Sequence, residues 1–232
     1  MHNRLVALAR RTRFLPFVYD YCDLWCDRCP VSSRCLLHAV EQQGGRSRRR
    51  GGVAADIENG IRFARAVLVA MGPPASPIAV LDVTLANPST APRTGHPLEW
   101  LARHYAVEAN AFLTALGTGP VSPAVESPLG VISWFQILIA AKIYRACISH
   151  CQAADDMPAL RDDAHGAAKV ALIGIERSME AFNELGRSRD DPRIGALLEI
   201  LAALRIGVDL KFPDAREFIR PGLDTPGSGV PC

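Results

Sequence analysis

A cluster of cysteines near the start of the chain is the feature that most restricts how this protein can fold. Cys22, Cys26, Cys29 and Cys35 lie within fourteen residues and are separated by three, two and five residues. Because so short a segment brings its thiols together at little cost in loop entropy, all four can converge on one centre. Four crowded thiolates without a partner would repel and oxidise, so we expect them to bind a metal ion or a metal cluster.

The surrounding sequence indicates a reducing compartment for these thiols. Arginines interrupt the early apolar stretch around residues 5–9, so we expect no signal peptide. The longest apolar run, residues 129–141, is shorter than a membrane span and predicts a buried helix. We therefore expect a cytoplasmic protein with no membrane partner, where clustered cysteines favour metal over disulfides.

Two kinds of metal centre fit the four cysteines. Zinc is usually held by two separated cysteine pairs, whereas iron–sulfur clusters take tight runs of cysteine, often with a proline beside one ligand. Here Pro30 follows Cys29, and the chain has one close pair, Cys26 and Cys29, with two outliers. Trp25 is among the aromatic residues that could limit access of solvent to a cluster. The sequence therefore favours an iron–sulfur cluster, with zinc as the alternative and redox or unligated thiols as a third reading.

The stretch Cys26-x2-Cys29-Pro-Val-x3-Cys35-Leu resembles the loop Cys-x2-Cys-Pro-x4-Cys-Leu of WhiB-like bacterial regulators, where three cysteines bind a [4Fe–4S] cluster. The same two-and-five spacing occurs in the cluster loop of base-excision DNA glycosylases. Cys22 is adjacent here, whereas the first WhiB-like cysteine lies far upstream. Neither the Gly-Val-Trp-Gly-Gly turn of the regulators nor the helix-hairpin-helix of the glycosylases is found in the sequence. The resemblance therefore implies a [4Fe–4S] cluster on the four cysteines and does not extend to DNA binding.

Two further resemblances are local or architectural. Cys22-x3-Cys26-x2-Cys29 matches the radical-SAM triad, but Cys35 would close the cluster and no βα alternation follows, which disfavours that family. The whole chain looks like a group of bacterial proteins that start with Tyr-Cys-x2-Trp-Cys-x2-Cys and continue into helices like residues 134–145 and 166–178. That likeness implies a helical architecture and supplies no activity.

Beyond the cysteines, the chain is divided by proline and glycine into helical stretches. We predict helices at 54–71, 97–116, 128–151, 163–185 and 192–211, and residues 78–85 could be a strand or a short helix. The third helix is apolar on nearly every face, so it should be central. The predicted fold class is all-α, a helical bundle of about five main helices with a small N-terminal cysteine-rich metal-binding segment.

The predicted organisation has four parts: a cysteine-rich head at 1–43, a Gly/Arg linker at 44–52, the helical bundle at 53–220 and a disordered tail at 221–232. A forty-residue head cannot bury its own apolar side chains, so we expect it to dock on the bundle. The side chains expected to be buried by docking are Phe17, Trp25, Leu36, Leu37 and Val40.

Six charged residues form a second group of candidates, since charges on apolar helices are costly unless they are paired. They are Lys142, Arg145, Asp163, Lys169, Glu176 and Arg177. Lys142 or Arg145 against Glu176 or Asp163 would make a buried ionic network, which we interpret as structural, with a polar pocket as the alternative. No catalytic residue can be assigned. Cys147 and Cys151 share a helix face and are interpreted as core residues rather than as a second site.

The charge distribution bears on partners. The net charge is +2, but residues 1–52 carry ten arginines against four acidic residues. Residues 46–50 could grip phosphates, yet no aromatic residue is interleaved, so any binding would lack sequence preference. We expect a protein or small-molecule partner and no sequence-specific nucleic acid.

Three functions stay open. The leading hypothesis is an iron–sulfur protein in which the bundle presents or senses the cluster as a redox or regulatory module. The second is an enzyme with a polar pocket in the bundle and a structural or electron-transferring cluster. The third is a zinc-stabilised interaction module.

Overall fold

The computed structural model describes residues 13–43, 95–117, 127–153 and 157–224. Regular structure in these ranges is helical, which confirms the all-α prediction. The α-helices are α1 (Leu36–Gln43), α2 (Pro97–Ala115), α3 (Pro128–Gln152), α4 (Pro158–Ser188) and α5 (Pro192–Lys211), with 3-10 turns at Cys26–Arg28, Ser32–Arg34 and Pro213–Arg216. The predictions for 44–52, 54–71 and 78–85, and for the tail beyond residue 224, lie outside the described residues.

The chain divides into two compact units. The head unit comprises Met1–Tyr19, Arg28–Ala91 and Pro221–Cys232, and the bundle unit comprises Asp20–Asp27 and Pro92–Arg220. Residues 20–27, which carry Cys22 and Cys26, therefore belong to the same unit as α2–α5. We call these eight residues the docked segment.

Three of the four helix starts in the bundle unit, those of α2, α3 and α5, have a polar cap directly before a proline. Ser127 Oγ accepts a hydrogen bond from the Gly130 amide at 3.1 Å, and Asp191 Oδ1 accepts one from the Arg193 amide at 3.0 Å. At α2 the cap is His96, whose Nδ1 accepts from the Leu98 amide at 3.2 Å. These contacts satisfy amide groups that the first turn of a helix leaves without a partner.

The predicted bounds of α4 are wrong at both ends. The helix begins at Pro158 rather than at Asp163, and it continues through Gly186 to Ser188. Proline suits the first turn of a helix, and that preference outweighed the aspartate at which the predicted helix began. Asp163 therefore lies inside the helix, where its carboxylate is available for contacts with α3.

The core of the bundle unit is built around α3, which packs against α2 and α4. Ile132, Phe135, Ile139 and Ile143 of α3 are fully buried. The helix has 25 residues, more than the apolar run had indicated, and by length and composition alone it could cross a membrane. Half of its most apolar window is buried inside the bundle, as in a core helix.

Helix α4 approaches α3 with a face of small residues. Ala164, Ala167, Ala168 and Ala171 are fully buried, and a Cβ on Gly174 would come within 2.9 Å of the Phe135 ring. Small side chains on one helix allow the larger side chains of its neighbour to fill the groove between them. The pairing of α3 with α4 therefore supplies the surface on which the docked segment is held.

The head unit contains a smaller apolar cluster. Val18, Val31 and Cys35 are buried, and the flanking side chains that pack on them include Leu15, Leu37 and Leu223. The Leu15 amide donates a hydrogen bond to the Arg34 carbonyl at 2.9 Å. Phe17, which the sequence placed among the buried residues, is 46% exposed and has a φ of +60°. Phe17 is not among the side chains of this apolar cluster, so its predicted burial is wrong.

Candidate metal centre

The loop between Cys22 and Cys26 is shaped by two local hydrogen bonds. Asp23 Oδ1 accepts from the Trp25 amide at 3.0 Å, and the Cys26 amide donates to the Leu24 carbonyl at 2.9 Å. Leu24 between them has a φ of +59°, a left-handed conformation that is unfavourable for leucine. This turn leaves Leu24 exposed and buries its neighbour Trp25.

Trp25 anchors the docked segment in the core of the bundle unit. Its side chain is 1% exposed, stacks on Trp134 with ring centroids 5.2 Å apart and meets the edge of Phe135 at 6.0 Å. The Arg177 guanidinium lies 5.9 Å from the Trp25 ring centroid, within the range of a cation–π contact. Residues 20–27 therefore pack within the bundle unit, and Trp25 is buried there, as the sequence suggested.

Side chains from α3 hold the main chain on both sides of Cys22. Lys142 Nζ donates to the Asp20 carbonyl at 2.8 Å, and Arg145 Nη1 donates to the same oxygen at 3.3 Å. On the other side, Trp134 Nε1 donates to the Asp23 carbonyl at 2.9 Å. Two carbonyl groups of an irregular loop are therefore satisfied by the bundle, as buried main-chain groups require.

Asp163 is the centre of a charged cluster between α3 and α4. Its carboxylate accepts both Nε, at 3.0 Å, and Nη2 of Arg145, and Ser149 Oγ donates to it at 2.6 Å. The Tyr21 hydroxyl of the docked segment lies 3.4 Å from Asp163 Oδ1. A bidentate arginine–carboxylate pair is among the strongest hydrogen-bonded contacts in proteins. The docked segment is therefore tied to the ion pair that joins the two helices.

Burial and pairing shift the pKa values in this cluster in different directions. Burial alone would raise the pKa of Asp163, but hydrogen bonds from Arg145 and Ser149 outweigh it, and the pKa lies below its ordinary value. Burial raises the pKa of Asp20 despite the charge of Arg145. Burial also lowers the pKa of Lys142, and the neighbouring Arg145 adds to that effect. Asp163 is thus the carboxylate that this cluster stabilises in its charged form.

The other charged candidates have separate partners rather than one shared cluster. Arg177 Nη1 lies 3.4 Å from Asp23 Oδ2, and Lys169 Nζ donates to the Phe218 carbonyl at 2.5 Å. Glu176 pairs with Arg216 at 2.8 Å on the exposed side of the bundle, and not with Lys142 or Arg145. The structure therefore forms one of the ion pairs suggested by the sequence, Arg145–Asp163, and gives Glu176 a different partner.

Cys29 and Cys35 lie in the head unit and are placed by short turns. The Cys29 carbonyl accepts from the Ser32 amide at 3.2 Å, and the Cys35 amide donates to the Ser32 carbonyl at 3.2 Å. The Cys35 carbonyl accepts from the Ala39 amide at 3.1 Å, so Cys35 directly precedes α1. Cys35 is buried and Cys29 is half-buried.

Helix α1 carries two further donors that the sequence analysis missed. His38 and Glu41 are one turn apart, half-buried, and place ligand atoms within 4.8 Å of each other. Imidazole nitrogen and carboxylate oxygen bind zinc and other divalent metals, as cysteine sulfur does. A histidine and a glutamate three residues apart, just after the last clustered cysteine, are the signal that would have identified them. Within the head unit they place a nitrogen and an oxygen donor on the helix that directly follows Cys35.

The cysteines of α3 behave differently from the clustered ones. Cys147 is fully buried in the bundle core, where burial, with a smaller contribution from Glu99, raises the pKa of its thiol to about 11. A neutral buried thiol acts as a small apolar side chain, so the interpretation of Cys147 as a core residue is confirmed. Cys151 is exposed at the end of the helix, so its interpretation as a core residue is wrong.

No known protein family matches the chain, and comparisons with curated proteins and with solved structures found no match.

Proposed function

We propose that the protein binds a metal centre through Cys22, Cys26, Cys29 and Cys35, that the centre is an iron–sulfur cluster of the [4Fe–4S] type, and that it serves as a redox or regulatory module. The observation that most supports a link between the cysteines and the helices is the burial of Trp25 in the core of the bundle unit. A segment anchored in this way transmits a change at Cys22 or Cys26 to α3 through hydrogen-bonded carbonyl groups.

Composition of the purified protein tests the proposal. Protein isolated without oxygen should be brown, contain iron and acid-labile sulfide, and absorb near roughly 400 nm, because thiolate-ligated iron–sulfur clusters carry sulfide as well as cysteine ligands. Stoichiometric zinc in protein made with ample iron, without that absorbance, would overturn the cluster and leave a zinc site. A protein with neither metal would overturn metal binding altogether.

A zinc centre is the second candidate, and the His38–Glu41 pair is the observation that favours it. Zinc sites accept nitrogen and oxygen donors beside sulfur, whereas most iron–sulfur clusters are held by cysteine alone. His38→Ala or Glu41→Gln should weaken zinc binding if these groups are ligands. An iron–sulfur cluster on the four cysteines should be unchanged in its iron and sulfide content by either substitution.

A regulatory role requires that the helices respond to the metal. Binding energy at a site that forms only in the folded chain becomes folding energy, so removal of the metal should lower the thermal transition of the helix signal. The comparison is between metal-bound protein and protein treated with chelator under reducing conditions. If the thermal transition is the same with and without metal, the bundle does not respond to the metal centre. The centre would then act in electron transfer, or would stabilise the head alone.

As partners we propose a protein or a small molecule rather than a specific nucleic acid. Any binding to DNA or RNA should be weak, fall steeply with salt and disappear when the arginines of residues 46–50 are neutralised. Binding that persists at high salt and selects a sequence would instead support the regulator that the WhiB-like loop resembles.

A further inference from the structure

Two side chains of α3 hold the loop that presents Cys22. Lys142 donates to the carbonyl two residues before this cysteine, and Trp134 donates to the carbonyl one residue after it. The two positions are eight residues apart on one helix, so they share a face. The main chain around Cys22 is thus fixed at both ends by one rigid element.

Lys142 is an unusual residue for this task. Its side chain is only 7% exposed, and an ammonium group is costly to bury unless hydrogen bonds satisfy it. The acceptor observed is the neutral carbonyl of Asp20, while the carboxylate of Asp163 is bonded instead to Arg145 and Ser149. The buried charge of Lys142 therefore serves the position of the loop rather than an ion pair between the helices.

Trp134 combines the same function with packing. Its ring stacks on Trp25, and its Nε1 reaches the Asp23 carbonyl. The indole therefore fixes both the anchor of the docked segment and the main chain next to Cys22. A loop held in this way presents its thiol in one position, whereas a free loop would have to be ordered when metal binds.

We propose that Lys142 and Trp134 are positioning residues of the metal centre, which fix the direction from which the Cys22 thiolate reaches the metal. This inference rests on the proposed metal-binding function and assigns to it two residues more than a hundred positions away from Cys22. The ammonium group of Lys142 also favours the negative charge that a metal centre with four thiolates carries.

The test compares matched variants of the full-length protein, each loaded with the metal that the wild-type protein contains. Lys142→Met removes the donor and the charge while keeping a long side chain, and Trp134→Phe removes the Nε1 donor while keeping a ring to stack on Trp25. Lys211→Met is the control, because Lys211 contacts Phe212 at the end of α5 and not the docked segment. Helix content and the thermal transition are measured for every variant.

The decisive readout is the rate at which a chelator removes the metal, with the thiolate-to-metal absorption recorded before removal. Groups that orient metal ligands typically change affinity by about ten- to a hundredfold when they are replaced. We expect a loss of metal roughly ten- to a hundredfold faster in Lys142→Met, a smaller change of the same sign in Trp134→Phe, and none in Lys211→Met. A shifted absorption spectrum in folded Trp134→Phe would mark a change at the metal that a purely structural role would not produce.

Failure of the inference and failure of the proposed function give different results. If the wild-type protein holds metal and both variants lose it at the wild-type rate, the positioning role is wrong while metal binding stands. If the wild-type protein binds no metal, both are wrong. Should Lys142→Met fail to fold, Trp134→Phe alone decides, since it deletes a single hydrogen bond.

Discussion

The two halves of the cysteine-rich segment are held by different kinds of interaction. Residues 20–27 insert Trp25 into a core of long helices, and side chains of α3 bind their main chain. Residues 28–35 are shaped by short turns and by a small apolar cluster that includes Val31 and Cys35. Regions with few buried apolar contacts open at lower free energy than a core does. The first half should therefore share the stability of the bundle, whereas the second half should depend more on the metal.

The largest effect should come from the cysteines themselves. Cys26→Ser in the bundle unit and Cys29→Ser in the head unit should each remove most of the metal, because a hydroxyl is a poor substitute for a thiolate ligand. Metal content after purification measures this, with Cys151→Ser as the exposed control that should retain the metal. If only one of the two changes lowers the metal content, the centre does not use both halves of the segment.

Removal of the Trp25 anchor should have the next largest effect, and it should show that the two halves of the segment contribute differently to stability. Trp25→Ala should lower the free energy of unfolding by about 3–5 kcal/mol, the usual range for a large aromatic side chain in a core. Thermal or denaturant unfolding followed by the helix signal measures it. Val31→Ala, in the head unit, should leave this transition nearly unchanged. A similar loss in both variants would contradict the difference between the two regions.

Asp163→Asn tests the charged cluster that ties Tyr21 to the helices. The change keeps the shape but removes the charge that receives Arg145, so the free energy of unfolding should fall by about 2–3 kcal/mol at pH 7. Glu176→Gln is the matched control on the same helix, and loss of its exposed pair with Arg216 should cost no more than about 0.5–1 kcal/mol. Equal losses of unfolding free energy in the two variants would show that the Arg145–Asp163 pair stabilises the fold no more than the exposed pair does.

The stability difference between wild type and Asp163→Asn should also depend on pH. Because the pKa of Asp163 is lower in the folded protein than in the unfolded chain, its contribution is present above pH of about 4 and is lost as pH falls through the folded pKa. The stability gap between wild type and Asp163→Asn should therefore narrow as the solution is acidified below about pH 4. Asp20, whose pKa is raised, acts in the opposite sense, since protonation removes the cost of burying its charge. A gap that widens in acid would assign the pH dependence to other groups.

The smallest effect concerns the turn between Cys22 and Cys26. Leu24 is 39% exposed and has a positive φ, which glycine adopts without strain. Leu24→Gly should leave stability unchanged or raise it by up to about 1 kcal/mol, because relief of strain opposes the greater entropy of the unfolded chain. The unfolding midpoint measures it, and a clear loss would mean that the leucine side chain has contacts that outweigh the strain.

Helix positions were predictable where local chemistry determines them, as at the caps Ser127 and Asp191. The start of α4 was not, because both Pro158 and Asp163 are residues that favour the start of a helix, and the helix begins at the proline. The burial of Trp25 followed from its size, but the hydrogen bonds of Lys142 and Trp134 to main-chain carbonyls did not. Every residue has a main-chain carbonyl group, so the residue types do not indicate which carbonyl will accept a hydrogen bond. The expectation that buried charges are paired therefore favoured carboxylates as partners. His38 and Glu41 were not predicted, because one histidine and one glutamate on a short helix are common on protein surfaces and the four cysteines already supply enough ligands for one centre.

Gly166 on α4 has a consequence for how the sequence can change. A Cβ at this position would collide with the Tyr21 ring and come within 2.9 Å of Phe218. Helix α4 therefore carries a residue that is poor for helix formation, by roughly 1 kcal/mol relative to alanine, at the point where the tyrosine lies. Positions 21 and 166 should accept substitutions only together, a larger residue at one requiring a smaller one at the other. In any set of related chains, linked variation of this pair would record the docking of the cysteine-rich segment.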